Sequence, residues 1–212
     1  MKSPTIFILF LLSAFYTSLL PSATAQVVVD MEGNDLQNGG KYYVLPVIES
    51  SYGGIRVAAT GKERCPLTVV QSPNPYDKGI ATIISTPYRV PVIREGFPLN
   101  ITFGNFAVIL PCVPLRSEWT VVNGQPEGPA VKIGSPPNAE NGWFEIEKLL
   151  TSGYKLVFCT RPERSYCQDI GIHVDDENHA RLVLTNDDPL VVEFLKYDPF
   201  WPQNNLVLPT SQ

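Results

Sequence analysis

Histidine is nearly missing from this chain of 212 residues: there are two, His173 and His179. That scarcity removes the usual general base and the commonest metal ligand from most of the molecule. His173 falls in a β-rich segment and His179 follows the acidic turn Asp175-Asp176-Glu177-Asn178. Neither stands beside a nucleophile motif. There is no G-x-S-x-G elbow, no H-E-x-x-H, no P-loop and no G-x-G-x-x-G. The local signatures of hydrolase, zinc peptidase, NTPase and dinucleotide chemistry are therefore absent. Acidic pairs such as Asp187-Asp188 sit beside Pro189, where Asp serves a turn for backbone reasons alone. An enzyme, a cofactor and a metal ion are not expected.

Charge is scarce too, at 17% of residues, and leans acidic, with 16 Lys and Arg against 21 Asp and Glu and a net charge of −5. Such a surface has no electrostatic motive to bind nucleic acid. Long apolar runs are missing after residue 25, so the mature chain is not expected in a membrane. The run that does exist, residues 6–20, is short for a span and is broken by Ser13, Tyr16, Thr17 and Ser18. Lys2 precedes it and Ala23-Thr24-Ala25 follows it. This is the layout of a cleaved secretory signal over 1–25, with Gln26 as the first mature residue; a membrane anchor is the competing reading. The expected product is secreted, to the extracellular space or a vacuole, and monomeric.

Cysteine is sparse but even in number: Cys65, Cys112, Cys159 and Cys167. No C-x-x-C pair occurs and the histidines are not at ligand spacing, which argues against zinc. After a leader, an even count argues for disulfides, and four cysteines allow three pairings. Nearness in sequence favours Cys65–Cys112 and Cys159–Cys167.

What the chain has in quantity is punctuation. Its 15 glycines and 20 prolines are spread evenly and cut it into short segments rich in Val, Ile, Thr and aromatics. Strands are expected at 41–47, 67–71, 81–85, 100–104, 107–111, 118–122, 130–133, 155–158, 171–174 and 181–184. Only 144–150 has a helical look. Many evenly spaced short strands indicate a sandwich or barrel. Two sets of repeats decide between them. Segment 67–70 recurs at 119–122 and loosely at 171–174, and segment 42–45 recurs at 99–103 and 154–158. Three units of about four strands make an all-β, threefold barrel capped by hairpins, the β-trefoil, expected over 26–198, with 199–212 as a C-terminal tail.

Within 99–103 the apolar residues Leu99, Ile101 and Phe103 alternate with Asn100 and Thr102, so the polar pair should face outward. Asn100-Ile101-Thr102 is the one Asn-x-Ser/Thr sequon of the chain and a candidate glycan site.

The remaining chemistry lies in a loop. Thr86-Pro87-Tyr88-Arg89-Val90-Pro91 follows the strand at 81–85. Pro87 and Pro91 fix φ at two places and press Thr86 and Val90 toward extended geometry. A stiff, extended segment carrying a long cation suits the cleft of a trypsin-like protease, whose specificity pocket ends in a carboxylate.

Several stretches match a known pattern. The mature N-terminus from Val28-Val29-Asp30-Met31-Glu32-Gly33 to Asn38-Gly39-Gly40-Lys41-Tyr42-Tyr43 resembles the signature of the plant Kunitz-type, soybean-inhibitor-like protease inhibitors. So do Glu63-Arg64-Cys65-Pro66-Leu67-Thr68-Val69-Val70, Gly128-Pro129-Ala130-Val131-Lys132-Ile133-Gly134 and Tyr154-Lys155-Leu156-Val157-Phe158-Cys159. The likeness runs over 26–197. It implies a β-trefoil with disulfides Cys65–Cys112 and Cys159–Cys167. It implies inhibition of a trypsin-like serine protease, with Arg89 as the P1 residue and Arg89–Val90 as the reactive bond. It also gives Asn38 the part of a side chain that hydrogen-bonds the loop and holds its shape. A non-inhibitory storage protein, or a trefoil that binds carbohydrate or another protein, is the rival reading. One departure stands out. Pro91 occupies P2′, where a substrate offers the protease a backbone N–H that proline lacks.

Overall fold

The computed structural model describes residues 25–47, 52–61, 65, 67–104, 117–125, 128–150 and 152–199. Among them run twelve strands: β1 Gly40–Pro46, β2 Ile55–Ala58, β3 Thr68–Gln71, β4 Thr82–Ser85, β5 Asn100–Phe103, β6 Trp119–Val122, β7 Ala130–Ile133, β8 Trp143–Lys148, β9 Tyr154–Cys159, β10 Cys167–Val174, β11 Ala180–Thr185 and β12 Val191–Lys196. The expected leader and the expected strand at 107–111 lie outside the described residues. So do Cys112 and all of the expected tail except Pro199.

Six strands close a ring. β1 pairs with β4, β4 with β5, β8 with β9, β9 with β12 and β12 with β1, all antiparallel. The circuit is completed between β5 and β8 by the bridge Leu99↔Phe144, with Leu99 N–H donating to Phe144 O at 2.8 Å. The other six form three hairpins, β2–β3, β6–β7 and β10–β11. Their inner strands meet in a triangle through Thr68↔Lys132, Ala130↔Val183 and Arg181↔Val70. A closed ring leaves no free edge on the barrel, and the triangle of hairpins caps one end. This is the β-trefoil.

The ring places the first strand of each unit at β1, β5 and β9, which matches the repeat set 42–45, 99–103 and 154–158. Equivalent side chains point inward: Tyr42, Leu99 and Tyr154 are buried, as are Val44, Ile101 and Leu156. The other repeat set is corrected. Segment 67–70 belongs to the third strand of its unit, but 119–122 and 171–174 belong to second strands. The true counterparts of Thr68 on the triangle are Ala130 and Arg181. Short Val-rich segments look alike in sequence, and only the pairing separates second strands from third.

The helical expectation for 144–150 is also corrected. Phe144 and Ile146 alternate into the core at 3% and 0% exposure while Lys148 is exposed. Six consecutive residues pair with β9, from Trp143↔Cys159 to Lys148↔Tyr154. Leu149 and Leu150 extended the apolar pattern toward helical spacing, but they lie past the strand, and Leu150 is fully exposed. Strands β2 and β12 were not anticipated. β12 occupies the place between β1 and β9 that closes the barrel.

The core is aromatic on one side. Phe103, Trp119, Phe144 and Phe158 contact in series, with ring centroids 5.5, 6.1 and 5.2 Å apart, distances at which tilted and edge-on pairs attract. Cys159 and Cys167 are disulfide-bonded across the β9–β10 pair. Cys65 is also disulfide-bonded.

Candidate functional site

The segment 86–91 leaves the barrel at the end of β4 and returns toward β5. Its departure is held by β4 pairing, with Ile84 buried at 0%. Its return is held by the N-terminal segment, which forms the bridges Gln37↔Val92 and Val27↔Arg94. Between these bridges Ile93 is fully buried, and its N–H donates to Leu36 O at 2.8 Å. Both ends of the loop are thus tied to core positions. Pro87, Tyr88, Arg89 and Pro91 between them are exposed.

Asn38 fills the inside of the arch. Its Oδ1 accepts from the Thr86 N–H at 2.9 Å. Its Nδ2 lies 3.4 Å from Thr86 O, 3.2 Å from Tyr88 O and 3.0 Å from Val90 O. Its backbone N–H donates to Pro91 O at 2.9 Å. One residue therefore ties the loop at Thr86, Tyr88, Val90 and Pro91. The alternate carbonyls turn inward toward one amide, so the segment is bowed rather than the straight extended piece that its prolines suggested. A bond from Val90 N–H to Tyr88 O, 2.9 Å, closes a tight turn centred on Arg89. Tyr88 packs edge-on against Phe97 with centroids 5.0 Å apart, and the Thr86 hydroxyl accepts from the Tyr88 N–H at 3.4 Å.

The arginine is treated differently from the backbone beneath it. Arg89 is exposed, and among the described residues no carboxylate, carbonyl or ring engages its guanidinium. The main chain is held at four points while the cation is left unspent. Such a loop can offer a charged side chain to a partner without first breaking an internal contact, and it loses little conformational entropy on docking.

Asn38 is itself supported from below by a residue that sequence reasoning passed over. Tyr42 is 1% exposed, and its hydroxyl accepts from the Gln37 N–H at 2.9 Å. Burial raises the Tyr42 pKa, the nearby Asp30 charge adds to this, and the Gln37 bond offsets part of it. Gly39 and Gly40 make the turn between Asn38 and β1. Gly39 has φ +79°, a region costly for other residues. A Cβ on Gly40 would meet the Tyr42 ring at 2.7 Å. The clue was present as an aromatic two residues after Gly40, but nothing local says that its hydroxyl turns back toward residue 37.

The other candidates fall elsewhere. Asn100 opens β5, exposed, with Leu99 and Ile101 buried on either side. His173 is exposed on β10. His179 lies 3.3 Å from Asp175, which also takes a 2.6 Å bond from Arg181 Nε. Burial pushes the Asp175 carboxyl up, but the His179 N–H and the Arg181 charge outweigh it and hold the carboxyl below its usual value. Asp187 and Asp188 stay at a turn, exposed. Among the described residues no group of His, Cys, Asp and Glu is placed to hold a metal ion, and no helix is long and apolar enough to cross a membrane.

Known proteins resemble this chain over most of its length. A family model described as trypsin and protease inhibitor, of the legume Kunitz type, matches residues 28–196. Trypsin inhibitor A of Glycine max is 56% identical over 93% of this chain and 93% of its own. Trypsin inhibitor 1B of Psophocarpus tetragonolobus is 41% identical over 81% of this chain and 98% of its own. Among solved structures, the soybean trypsin inhibitor in complex with porcine pancreatic trypsin superposes with a TM-score of 0.75 at 54% identity, covering 82% of this chain and all of that one.

Proposed function

The chain belongs to the legume Kunitz family of trypsin and protease inhibitors, so it is no enzyme, and from that membership we propose that it inhibits a trypsin-like serine protease through the 86–91 loop. Arg89 is the P1 residue and Arg89–Val90 the reactive bond. The observation that carries this reading is the asymmetry around Arg89: an anchored main chain beneath an unpartnered guanidinium. A relative is known in complex with porcine pancreatic trypsin, and a protease of that class presents a carboxylate to a P1 cation.

The mechanism follows from where Asn38 binds. The protease serine attacks the Arg89 carbonyl, and the Val90 nitrogen is the leaving group. Asn38 Nδ2 contacts Tyr88 O on one side of that bond and Val90 O on the other. Cutting the bond leaves both new ends on the same carboxamide, so the Val90 amine stays beside the acyl carbon. Resynthesis then competes with release, and the enzyme is held in a complex it can neither complete nor leave quickly. Pro91 offers no N–H at P2′, which leaves a protease carbonyl unpaired.

The leader at 1–25 supports secretion, and the Cys65–Cys112 pairing, with Cys112 outside the described residues, remains part of the proposal. Active-site titration of trypsin tests the reading. Arg89→Ala should weaken inhibition by about a thousandfold or more, as expected for a dominant interface residue worth about 4 kcal/mol. Pro91→Arg should tighten it by about tenfold, from one recovered hydrogen bond. Unchanged inhibition by Arg89→Ala would remove Arg89 from P1, whereas no inhibition by the wild-type protein would favour a storage or carbohydrate-binding role.

A further inference from the structure

We infer that Asn100 carries an N-linked glycan, and that the first N-acetylglucosamine rests against Trp143 over a hollow between β5, β6 and β8. The sequon Asn100-Ile101-Thr102 alone would be a weak reason. Two structural observations strengthen it. Asn100 is exposed at the first position of β5, and among the described residues its carboxamide has no hydrogen-bond partner. Its backbone is already satisfied in the β4–β5 ladder opposite Ser85, with the Ser85 hydroxyl 3.4 Å from Asn100 O. The outward side chain is therefore free to bear a substituent without costing the fold a contact.

The second observation is the hollow itself. It measures about 70 Å³ and is lined by Asn100, Glu118, Trp119, Glu140, Gly142 and Trp143. That volume is too small for a sugar ring but suits a group the size of an acetamide. Trp143 stands half-buried at its rim. Its ring is fixed because its indole N–H donates to Glu145 Oε1 at 2.8 Å. A fixed aromatic face beside the attachment point is a stacking surface for the apolar face of a pyranose. Gly142, beside Trp143, packs tightly against β9. A Cβ there would lie 2.5 Å from Cys159 O and 2.5 Å from the Phe158 ring.

The occupant is thus tethered at the rim by Asn100 and faced by Trp143.

The modification requires a co-reactant, a polyprenyl-diphosphate-linked oligosaccharide. The Asn100 Nδ2 forms a bond to the anomeric carbon of the sugar while the bond from that carbon to the phosphate oxygen breaks. The lipid diphosphate leaves with the electron pair, and the amide loses one proton.

The full chain, secreted from a plant or yeast host beside a control glycoprotein, provides the test. Release with peptide N-glycosidase in heavy-oxygen water should convert Asn100 to a labelled Asp in the peptide mass spectrum. Asn100→Gln and Thr102→Ala should abolish the label, and Thr102→Ser should retain it. An unlabelled Asn100 in a host that modifies the control overturns the site. The seat is read separately. Tryptophan emission should shift when the glycan is removed from the wild type, and the shift should be lost in Trp143→Phe. Glycan release from the native protein should also be about two- to tenfold faster in Trp143→Ala than in wild type, the range for loss of one aromatic contact. A modified Asn100 whose removal leaves emission unchanged, with equal release from both proteins, overturns the seat. Trypsin inhibition enters neither measurement.

Discussion

Two exposed loops of this protein carry arginine and proline, and they are built in opposite ways. The first is 86–91, with Arg89. The second is 160–166, with Arg161 and Arg164, closed at its base by Cys159–Cys167. In the second loop the cations are consumed internally. The Arg161 guanidinium sits 4.5 Å from the Tyr166 ring centroid. Arg164 pairs with Glu145 at 2.7 Å and also with Glu147. Its backbone closes a 3₁₀ turn over Arg164–Tyr166, which no protease cleft accepts as substrate. In the first loop the backbone is held from inside by Asn38 and the cation is left outside. A covalent clasp and an arginine do not by themselves make a protease ligand. The side chain must be free, and the main chain on both sides of its carbonyl must be fixed in a bowed, accessible form.

The contrast can be broken most directly at the arginines. Arg89→Ala carries the thousandfold loss expected above, whereas Arg164→Ala should leave the trypsin inhibition constant within about twofold, since that side chain is engaged by Glu145 and Glu147 of β8. A large effect of Arg164→Ala would make the second loop part of the contact surface.

The disulfide comes next. Cys159→Ser with Cys167→Ser should lower unfolding free energy by about 2–3 kcal/mol, the chain-entropy value for a loop of this length. Urea unfolding measures it. Inhibition at room temperature should stay within about twofold, because the loop it closes is not the one presented.

Asn38→Ala sharpens the comparison from the other side. It removes the carboxamide but not the barrel. Inhibition should weaken by about 10- to 100-fold, from the lost pre-organisation and unmet hydrogen bonds. Cleavage at Arg89–Val90 should also appear on prolonged incubation, seen as two fragments on reduction. Weaker binding without any cleavage would mean that Asn38 shapes the loop but does not retain its cut ends.

The smallest effect is a pH dependence beneath Asn38. The folded pKa of Tyr42 is raised by burial, while an unfolded tyrosine ionises near pH 10. The unfolded state therefore releases its proton first. The stability contributed by neutral Tyr42 is complete below about pH 10 and is lost as pH climbs toward the folded pKa. Urea unfolding should show this alkaline decline in wild type and less of it in Tyr42→Phe. The variant should be weaker by about 1 kcal/mol at neutral pH through loss of the Gln37 hydrogen bond.

The fold was legible where its cause was local. Period-two alternation in Leu99–Ile101–Phe103 and turn residues at even intervals are enough to expect short strands. The recurrence at 42, 99 and 154 is enough to expect three units. It was illegible where short segments resemble one another. Val70, Val122 and Val174 end similar Val-rich stretches but lie on third and second strands. Phe144–Lys148 looked helical because two leucines follow it. Of the loop, the sequence marked Arg89 between its prolines, but not that its guanidinium would be unengaged while those of Arg161 and Arg164 are not.

By itself the sequence determined the all-β class, the threefold plan, the outward Asn100 and the placing of one arginine in a proline-bounded loop. These follow from alternation, turn chemistry and spacing, which act over a few residues. Only the tertiary structure decided which strand closes the barrel, and that residue 38 reaches residues 86 to 91 across the return of the N-terminal segment. It also decided that Tyr42 turns its hydroxyl beneath that contact. The part of Asn38 was implied by the family resemblance alone, and the reason that local patterns could not supply it is distance along the chain. Asn38 and Val90 are separated by 52 residues, and whether two such groups meet depends on the register of β1 against β4, which no local signal encodes.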